Sequence, residues 1–365
     1  MRLRVPDYYS QFSCIADKCK DSCCIGWEID IDQYTHDYYM NVEGDFGQRL
    51  KENIYMTEDG DYSFRLKEHG RCPFLNSRNL CDICIELGEE ALSEVCTEYP
   101  RFAIEYGNVL QKCLSLSCEE AGRLLFTRQD PVGYVEMELP ESQYFDDADD
   151  VVQEYLAAEQ VQDIMFEILQ DRSKSIWDRM KDYLSFAQIV QEAINKGDEL
   201  NLIEDYKSQA LNIKSELSDY SSWNNFAGFS ARFSIFEKME TLDSEWTRAK
   251  SQIRDTLTED TYSLKLQEYM QSGHMLEKDY EHLMVYFTFR YMLNFVYDSN
   301  LLSYARLAVL FTLMIRDMDV VRYYLNGGSY TLSDRIDVAR IFSKEVEHSE
   351  ENVEYAREEI MFAEQ

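Results

Sequence analysis

All ten cysteines of the chain fall within its first 118 residues, and the remainder, about twice as long, has none. That segregation constrains the N-terminal third more than any other feature. Eight of the ten form a spaced framework: Cys14, Cys19, the vicinal pair Cys23-Cys24, Cys72, Cys81, Cys96 and Cys118. Thiols at this density either ligate a soft metal or iron–sulfur cluster, or oxidise into the staples of a small secreted domain. Two observations favour the first. Met1–Ser13 reads MRLRVPDYYSQFS, without the apolar core and small-residue cleavage site of an export signal, so a reducing cytoplasm is expected. A chain of 365 residues also buries a large core without staples. Free cysteine is a good core residue, but that does not explain why the rest of a similarly hydrophobic chain uses none.

The spacing suits a shared centre. Four residues separate Cys14 from Cys19 and three separate Cys19 from Cys23, so one loop can present two or three thiolates together. Proline after Cys72 stiffens that loop, as it does after cluster ligands in ferredoxins. Cys81-x-x-Cys84 is a further metal-like spacing. Lys18, Lys20, Arg71 and Arg101 flank the thiols and can offset the charge of a thiolate-bound cluster; ordinary surface charge accounts for each of them equally well. Zinc is the direct competitor, because a closed four-cysteine site would use the same residues. The pattern matches neither paired C-x2-C knuckles nor the C-x3-C-x2-C loop of radical enzymes that use S-adenosylmethionine. Eight thiols could serve one cluster plus structural cysteines, or two four-ligand centres; the favoured reading is one 4Fe-4S cluster, with zinc as the alternative.

A net charge of -33, spread along the chain, argues against nucleic acid, which needs a basic stripe. It leaves a solvated surface, or attraction to a lysine-bearing partner. No membrane span is expected: the apolar stretches Leu283–Val296 and Leu301–Ile315 are each shorter than about 20 residues and contain Arg290 or Arg306. Asp298-Ser299-Asn300 between them offers an N-cap, so the pair reads as a buried helical hairpin.

Three segments follow. Residues 1–125 are a Cys-rich, irregular module, 126–147 a spacer with Asp130-Pro131 and Pro140, and 148–365 a helical domain free of proline after its first boundary. Helical periodicity recurs near 148–170, 175–196, 200–219, 228–240, 244–272, 278–297, 300–316 and 333–345. Cys84–Glu98 reads as a helix stopped by Pro100, with Cys96 in its last turn; Gly327-Gly328 reads as a turn, and Glu345–Gln365 as a solvated final helix. The expected fold class is mainly α: an irregular Cys-rich N-terminal module with a metal or iron–sulfur centre, packed on an all-α helical domain.

Four blocks carry a resemblance. They are Tyr8 to Asp32, with Phe12-Ser13-Cys14 and Ile25-Gly26-Trp27-x-Ile29-Asp30-Ile31-Asp32; Cys72-Pro73-Phe74-Leu75 with Leu80-Cys81-x-Ile83; Leu87-Gly88-Glu89 through Cys96 and Tyr99-Pro100-Arg101; and Leu114-Ser115-Leu116-Ser117-Cys118 with Ala121 and Arg123-Leu124. Weaker echoes are Ile168-Leu169-Gln170-x-Arg172, the Tyr286–Leu293 segment with Arg290, and Glu345-x-Glu347-His348-Ser349-Glu350. Together they resemble the flagellin lysine-N-methylase family, whose Cys-rich part resembles a zinc- or iron-chelating domain. Cys84 and Cys113 fall outside the family pattern and are read as non-ligands; Cys118-Glu119 stands where relatives have Cys-Pro.

The resemblance implies methyl transfer from S-adenosylmethionine to lysine side chains of flagellin, in the cytoplasm of a flagellated bacterium. A methylase must bind the lysine stem and favour its neutral amine, since at pH 7 only about one lysine in 2,500 is unprotonated. Tyr286 and Tyr291, flanking the family-like Arg290, are channel candidates, although tyrosines at helical spacing usually serve packing. No G-x-G-x-x-G follows a strand, so a doubly wound donor-binding domain is not expected. The donor then binds either in a pocket of the helical domain or at the cluster itself, with Cys14, Cys19 and Cys23 as the first-choice ligands. The competing function is a non-catalytic zinc module that binds a flagellar protein; metal storage or sensing is a third.

Overall fold

The computed structural model describes residues 1–139, 149–208 and 220–362. Pro140 and the rest of the spacer to 147, the 209–219 half of one expected helix, and the last three residues lie outside the described residues. Two compact units result, one of residues 1–11, 103–113 and 122–365, the other of 12–102 with 114–121. They interleave along the chain because the N-terminal strand Arg2–Pro6 pairs in parallel with Val109–Leu114 and antiparallel with Tyr134–Glu138. With Arg101–Tyr106 these make a four-stranded sheet that left little trace in the sequence. The reason lies in Arg4, which is buried inside the alternation of its strand. Its guanidinium meets Asp163 and lies 5.1 Å over the ring of Tyr134, so an inward position is occupied by a charge.

The larger unit is helical. Its helices run Asp149–Gln170, Ile176–Ile194, Glu199–Lys207, Phe226–Lys238, Ser244–Thr256, Tyr262–Gln271, Glu277–Tyr291, Leu301–Leu325, Leu332–Phe342 and Glu350–Phe362. The protein is mainly α, as the periodicity predicts. The expected 244–272 helix is two, because the chain leaves helical geometry at Leu257 and turns on a hydrogen bond between Thr258 and Thr261. The hairpin at the centre is present: Asp279 through Tyr291 are all buried, and the next helix is capped by Asn300, whose side chain accepts from the Ser303 amide at 3.2 Å. Among the described residues no helix is long and apolar enough to cross a membrane.

These two helices carry charges where a fully buried helix would be apolar. Glu281 accepts from Arg172 at 2.8 Å and from Arg179 at 2.6 Å. Asp317 accepts from Arg232 at 2.7 Å and from the Tyr262 hydroxyl at 3.0 Å. Asp319 meets Arg335, Tyr280 and Tyr330, and Glu347 meets Arg290, Tyr286 and Tyr291. Each buried carboxylate is thus paired with an arginine and, for three of them, with tyrosine hydroxyls, which is the condition for burying charge at tolerable cost.

The acidic C-terminal segment is not a solvated helix throughout. A π-turn at Ser343–Glu347 carries Glu345 and Glu347 into the interior, and Asn352 and Ala356 are buried in the helix that follows. Glu350, Glu351, Glu354, Glu358 and Met361 are the exposed positions of that helix. Burial also neutralises His282, which is 0% exposed and pushed down to about 4, its Nε2 lying 3.3 Å from the Asp130 carbonyl. Because its folded value is below the ordinary 6.5, the contribution is complete above that pH and is lost as pH falls toward 4. Unfolding by denaturant at pH 7 and pH 4.5 should therefore show an acid loss on the order of 2–3 kcal/mol from this residue. His282→Gln should flatten that limb, and an unchanged limb would assign it elsewhere.

The smaller unit holds a three-stranded antiparallel sheet of Asp30–Ile31, Tyr62–Phe64 and Ile54–Met56, beside the helices Gln33–Asn41 and Gly44–Asn53. Tyr39, Leu50, Phe64, Phe74 and Ile83 form its core. The expected helix from Cys84 to Glu98 is interrupted at Gly88, whose φ of 96° belongs to the region glycine favours; Asp82–Leu87 and Glu94–Glu98 are separate helices.

Candidate metal centre and helical cavity

Backbone ties within the smaller unit gather the thiols from distant points in sequence. The Gly26 amide donates to the Gly70 carbonyl at 3.0 Å, and the Cys72 amide to the Cys24 carbonyl at 2.8 Å. A Cβ on Gly70 would lie 3.1 Å from the backbone of Gly26, so this approach needs glycine. Cys81 pairs with Leu75 in a β-bridge, and the Asp82 amide donates to the Phe74 carbonyl at 2.8 Å. The Pro73 carbonyl accepts from Arg49 at 2.7 Å and from Lys67 at 3.0 Å, bracing the Cys72-Pro73 corner. Asp32 caps the Gln33–Asn41 helix and accepts from the Glu94 amide at 3.0 Å, which ties down the short helix carrying Cys96. As a result Cys72 is in the core, and Cys24, Cys81 and Cys96 pack against the same cluster.

Cys14, Cys19 and Cys118 make a second neighbourhood, and Cys23, bonded to Cys24 and near both Cys14 and Cys96, stands between the two. Cys14 is exposed and its sulfur accepts from the Ala16 amide at 3.4 Å; the Cys19 amide donates to the Ala16 carbonyl at 3.2 Å. Beside them the Lys20 amide donates to Glu119 Oε2 at 2.8 Å, bringing this loop to the Cys118 turn. Cys118 is held by its amide bond to the Ser115 carbonyl at 3.2 Å, next to Ser117, which bonds the Tyr99 hydroxyl at 3.1 Å.

The thiols act on one another electrically. Burial and the thiols of Cys118 and Cys14 push Cys19 up to about 12. Burial, with Cys24, Cys96 and Cys81 as neighbours, pushes Cys72 up to about 12, and the same crowding pushes Cys96 up to about 11. Burial and Cys14 push Cys118 up to about 11. Cys24 goes the other way, held down to about 7 by a hydrogen bond from Cys23 and by Arg71. Crowded thiols resist ionisation until a cation is among them, whose charge inverts that preference and ionises its ligands. All eight framework cysteines lie in one unit, and thiolates are the donors that zinc and iron–sulfur clusters both take. Among the described residues no group of three His, Cys, Asp or Glu side chains is placed to hold a metal ion.

Cys113 is in the other unit, buried, with its sulfur 4.0 Å from the Tyr8 hydroxyl. Cys84 lies beside Cys81 and is pushed up to about 12 by burial and that neighbour. Lys20 and Arg71 keep company with the thiols through the contacts already given. Arg101 stacks on Phe12 at 5.3 Å.

In the helical unit, the tyrosine candidates resolve into a closed network. Tyr286 and Tyr291 both donate to Glu347 at 3.0 Å, and Arg290 donates to the Tyr286 hydroxyl at 3.0 Å. A cavity of about 340 Å³, which no sequence pattern marks, is lined by Phe126, His274, Lys278, Asp279, Tyr330 and Arg335. Arg335 is 1% exposed; its Nη1 binds Asp319, but its Nε and Nη2 have no hydrogen-bond partner among the described residues. Unpaired buried guanidinium donors on a cavity wall are an anion anchor awaiting an acceptor. On the same wall Asp279 is pushed up by burial, opposed by Lys278 at 2.7 Å and by Arg335.

A helical body around two charge-bearing buried helices, joined in sequence to a thiol-rich unit, defines the class. Residues 162–365, more than half of the chain, match the family described as FliB lysine N-methylase C-terminal domain. The chain belongs to the FliB lysine N-methylase family. It is 32% identical over 123 residues to the lysine-N-methylase of Salmonella typhimurium, a stretch covering 32% of this chain and 30% of that one. It is likewise 32% identical over 123 residues to the flagellar biosynthetic protein FliU of Salmonella muenchen, covering 32% of this chain and 71% of that one. The chain thus spans 30% of the length of the lysine-N-methylase it matches. No solved structure matches.

Proposed function

We propose that the protein is a lysine N-methylase that transfers the methyl group of S-adenosylmethionine to lysine side chains of flagellin. The observation that carries this reading is the family match across residues 162–365, the segment that supplies most of the cavity wall. The cavity is of ligand size and joins aromatic surface to a few convergent polar groups. In this reading Arg335 Nη2 and Nε donate to the carboxylate of the donor, and the rings of Tyr330 and Phe126 face its nucleoside and sulfonium. Asp279 takes the proton of the lysine ammonium. The freed nitrogen lone pair then forms the N–CH3 bond as the S–CH3 bond breaks, and the sulfur leaves as S-adenosylhomocysteine with that electron pair. Burial raises Asp279 toward the pH at which a carboxylate exchanges protons usefully, and the acidic surface draws lysine-bearing partners to it.

A 4Fe-4S cluster fits the thiol-rich unit, with Cys14, Cys19, Cys23 and Cys118 as its holders; when bound, it supplies redox-active, electrophilic iron. The test uses anaerobically purified protein, labelled S-adenosylmethionine and flagellin, with iron, sulfide and zinc quantified in the same sample. Label on lysine, with iron and sulfide present, is the expected result. Flagellin bound without label, and zinc in place of iron, would replace this reading with a non-catalytic binding module. Arg335→Lys should raise KM for the donor by tenfold or more, on the order of one charged hydrogen bond, while leaving flagellin binding intact.

A further inference from the structure

We infer that the smaller unit holds two four-thiolate centres rather than one, the second formed by Cys24, Cys72, Cys81 and Cys96 and occupied by its own iron–sulfur cluster. This rests on the iron–sulfur part of the reading above and goes beyond it in number, place and ligands. Eight framework thiols divide four and four by where the fold puts them. Cys72 is a core residue, and Cys24, Cys81 and Cys96 are the thiols that pack on that core cluster. They are fixed there by the Cys72–Cys24 backbone bond, the Leu75–Cys81 bridge and the Asp32–Glu94 cap. None of Cys14, Cys19, Cys23 or Cys118 belongs to that cluster; Cys14 and Cys23 are exposed, and the Lys20–Glu119 bond gathers their loop to Cys118.

The vicinal pair is the hinge of the division. Cys23 has Cys14 beside it, and Cys24 has Cys72 beside it. Cys23 also bonds Cys24 and feels Cys96, so the two centres adjoin. One four-ligand centre would leave four gathered thiols unused. Two centres use all eight and leave out only Cys84 and Cys113. Placing one set on the core also gives that centre a structural consequence: its loss removes the anchor of the loops 72–82 and 94–98.

The experiment is iron and acid-labile sulfide per chain in the full-length protein purified without oxygen, with the reduced sample read by electron paramagnetic resonance. About eight irons and eight sulfides per chain are expected, with broadening from two adjacent paramagnets. Cys14→Ser, in an exposed loop, should halve the iron and leave a single unbroadened signal. Cys96→Ser should halve it as well, and the two substitutions together should leave the protein colourless. Should Cys96→Ser fail to fold, Cys14→Ser alone decides. About four irons in the parent, all lost with Cys14→Ser, would overturn the second centre and leave the single-cluster methylase standing. Four irons with one zinc that survives Cys14→Ser would overturn the second cluster in favour of an ion. No iron in any sample would sink the iron–sulfur reading itself.

Discussion

Asp279→Asn is expected to slow lysine methylation by at least about a hundredfold, the usual contribution of a positioned base, with little change in donor binding. Asp279 is 6% exposed and lines the cavity, and its carboxyl is pushed up by burial despite Lys278 at 2.7 Å. Asparagine keeps its shape and its acceptance of the Lys278 proton but cannot take a proton from the lysine ammonium. The pH profile separates this from a structural role. A base must be ionised to act, so the parent's rate falls as pH drops through the Asp279 value. In the variant that limb should vanish, leaving only the rise with the lysine's own ionisation. A residual rate with the limb unchanged would place the base elsewhere, and the closed Tyr286–Tyr291–Glu347 network would be the next site to examine.

The helical architecture was legible because buried helices leave periodic apolar runs uninterrupted by proline, and Asp298-Ser299-Asn300 marked the hairpin with real capping chemistry. The N-terminal sheet was not, because the short strand Arg2–Pro6 spends an inward position on Arg4. All eight framework cysteines share one unit, and Cys113, which lies outside the family pattern, falls in the other. The division into two sets was not legible, since Cys23 and Cys24 adjoin in sequence and separate only through the contacts of Cys14 and Cys72. The cavity is not legible for a different reason. Its arginine, Arg335, looks like ordinary helix-surface charge, and its partner Asp319 stands two residues from Asp317 in an apolar run. Arg316-Asp317-Met318-Asp319, inside a helix otherwise suited to burial, was the available signal. Charges in such a run must find partners inside the protein, and an arginine with donors to spare marks where a ligand can complete the pairing.

That same pairing predicts the largest stability effect. Asp319→Ala should destabilise the helical unit by about 3–5 kcal/mol, because it strands the Arg335 charge in the interior. Asp319 accepts from Arg335 and from the hydroxyls of Tyr280, at 2.7 Å, and Tyr330. All four side chains are nearly inaccessible, so water cannot replace the lost acceptor. Removing the arginine instead leaves a carboxylate that burial already pushes up and that can neutralise by taking a proton. Arg335→Met should therefore cost less than Asp319→Ala. The double variant should recover a substantial part of the loss, since an apolar pair leaves no orphan charge. Chemical denaturation of the four proteins closes the cycle. Equal and additive costs would mean that the two residues do not act as a pair. The arginine variants carry a second readout: without its guanidinium the cavity loses its anion anchor, so Arg335→Met should remain folded, at less cost than Asp319→Ala, yet bind S-adenosylhomocysteine at least tenfold more weakly. Stability and ligand binding would then part company at one residue, as expected of a charge that the fold neutralises only halfway.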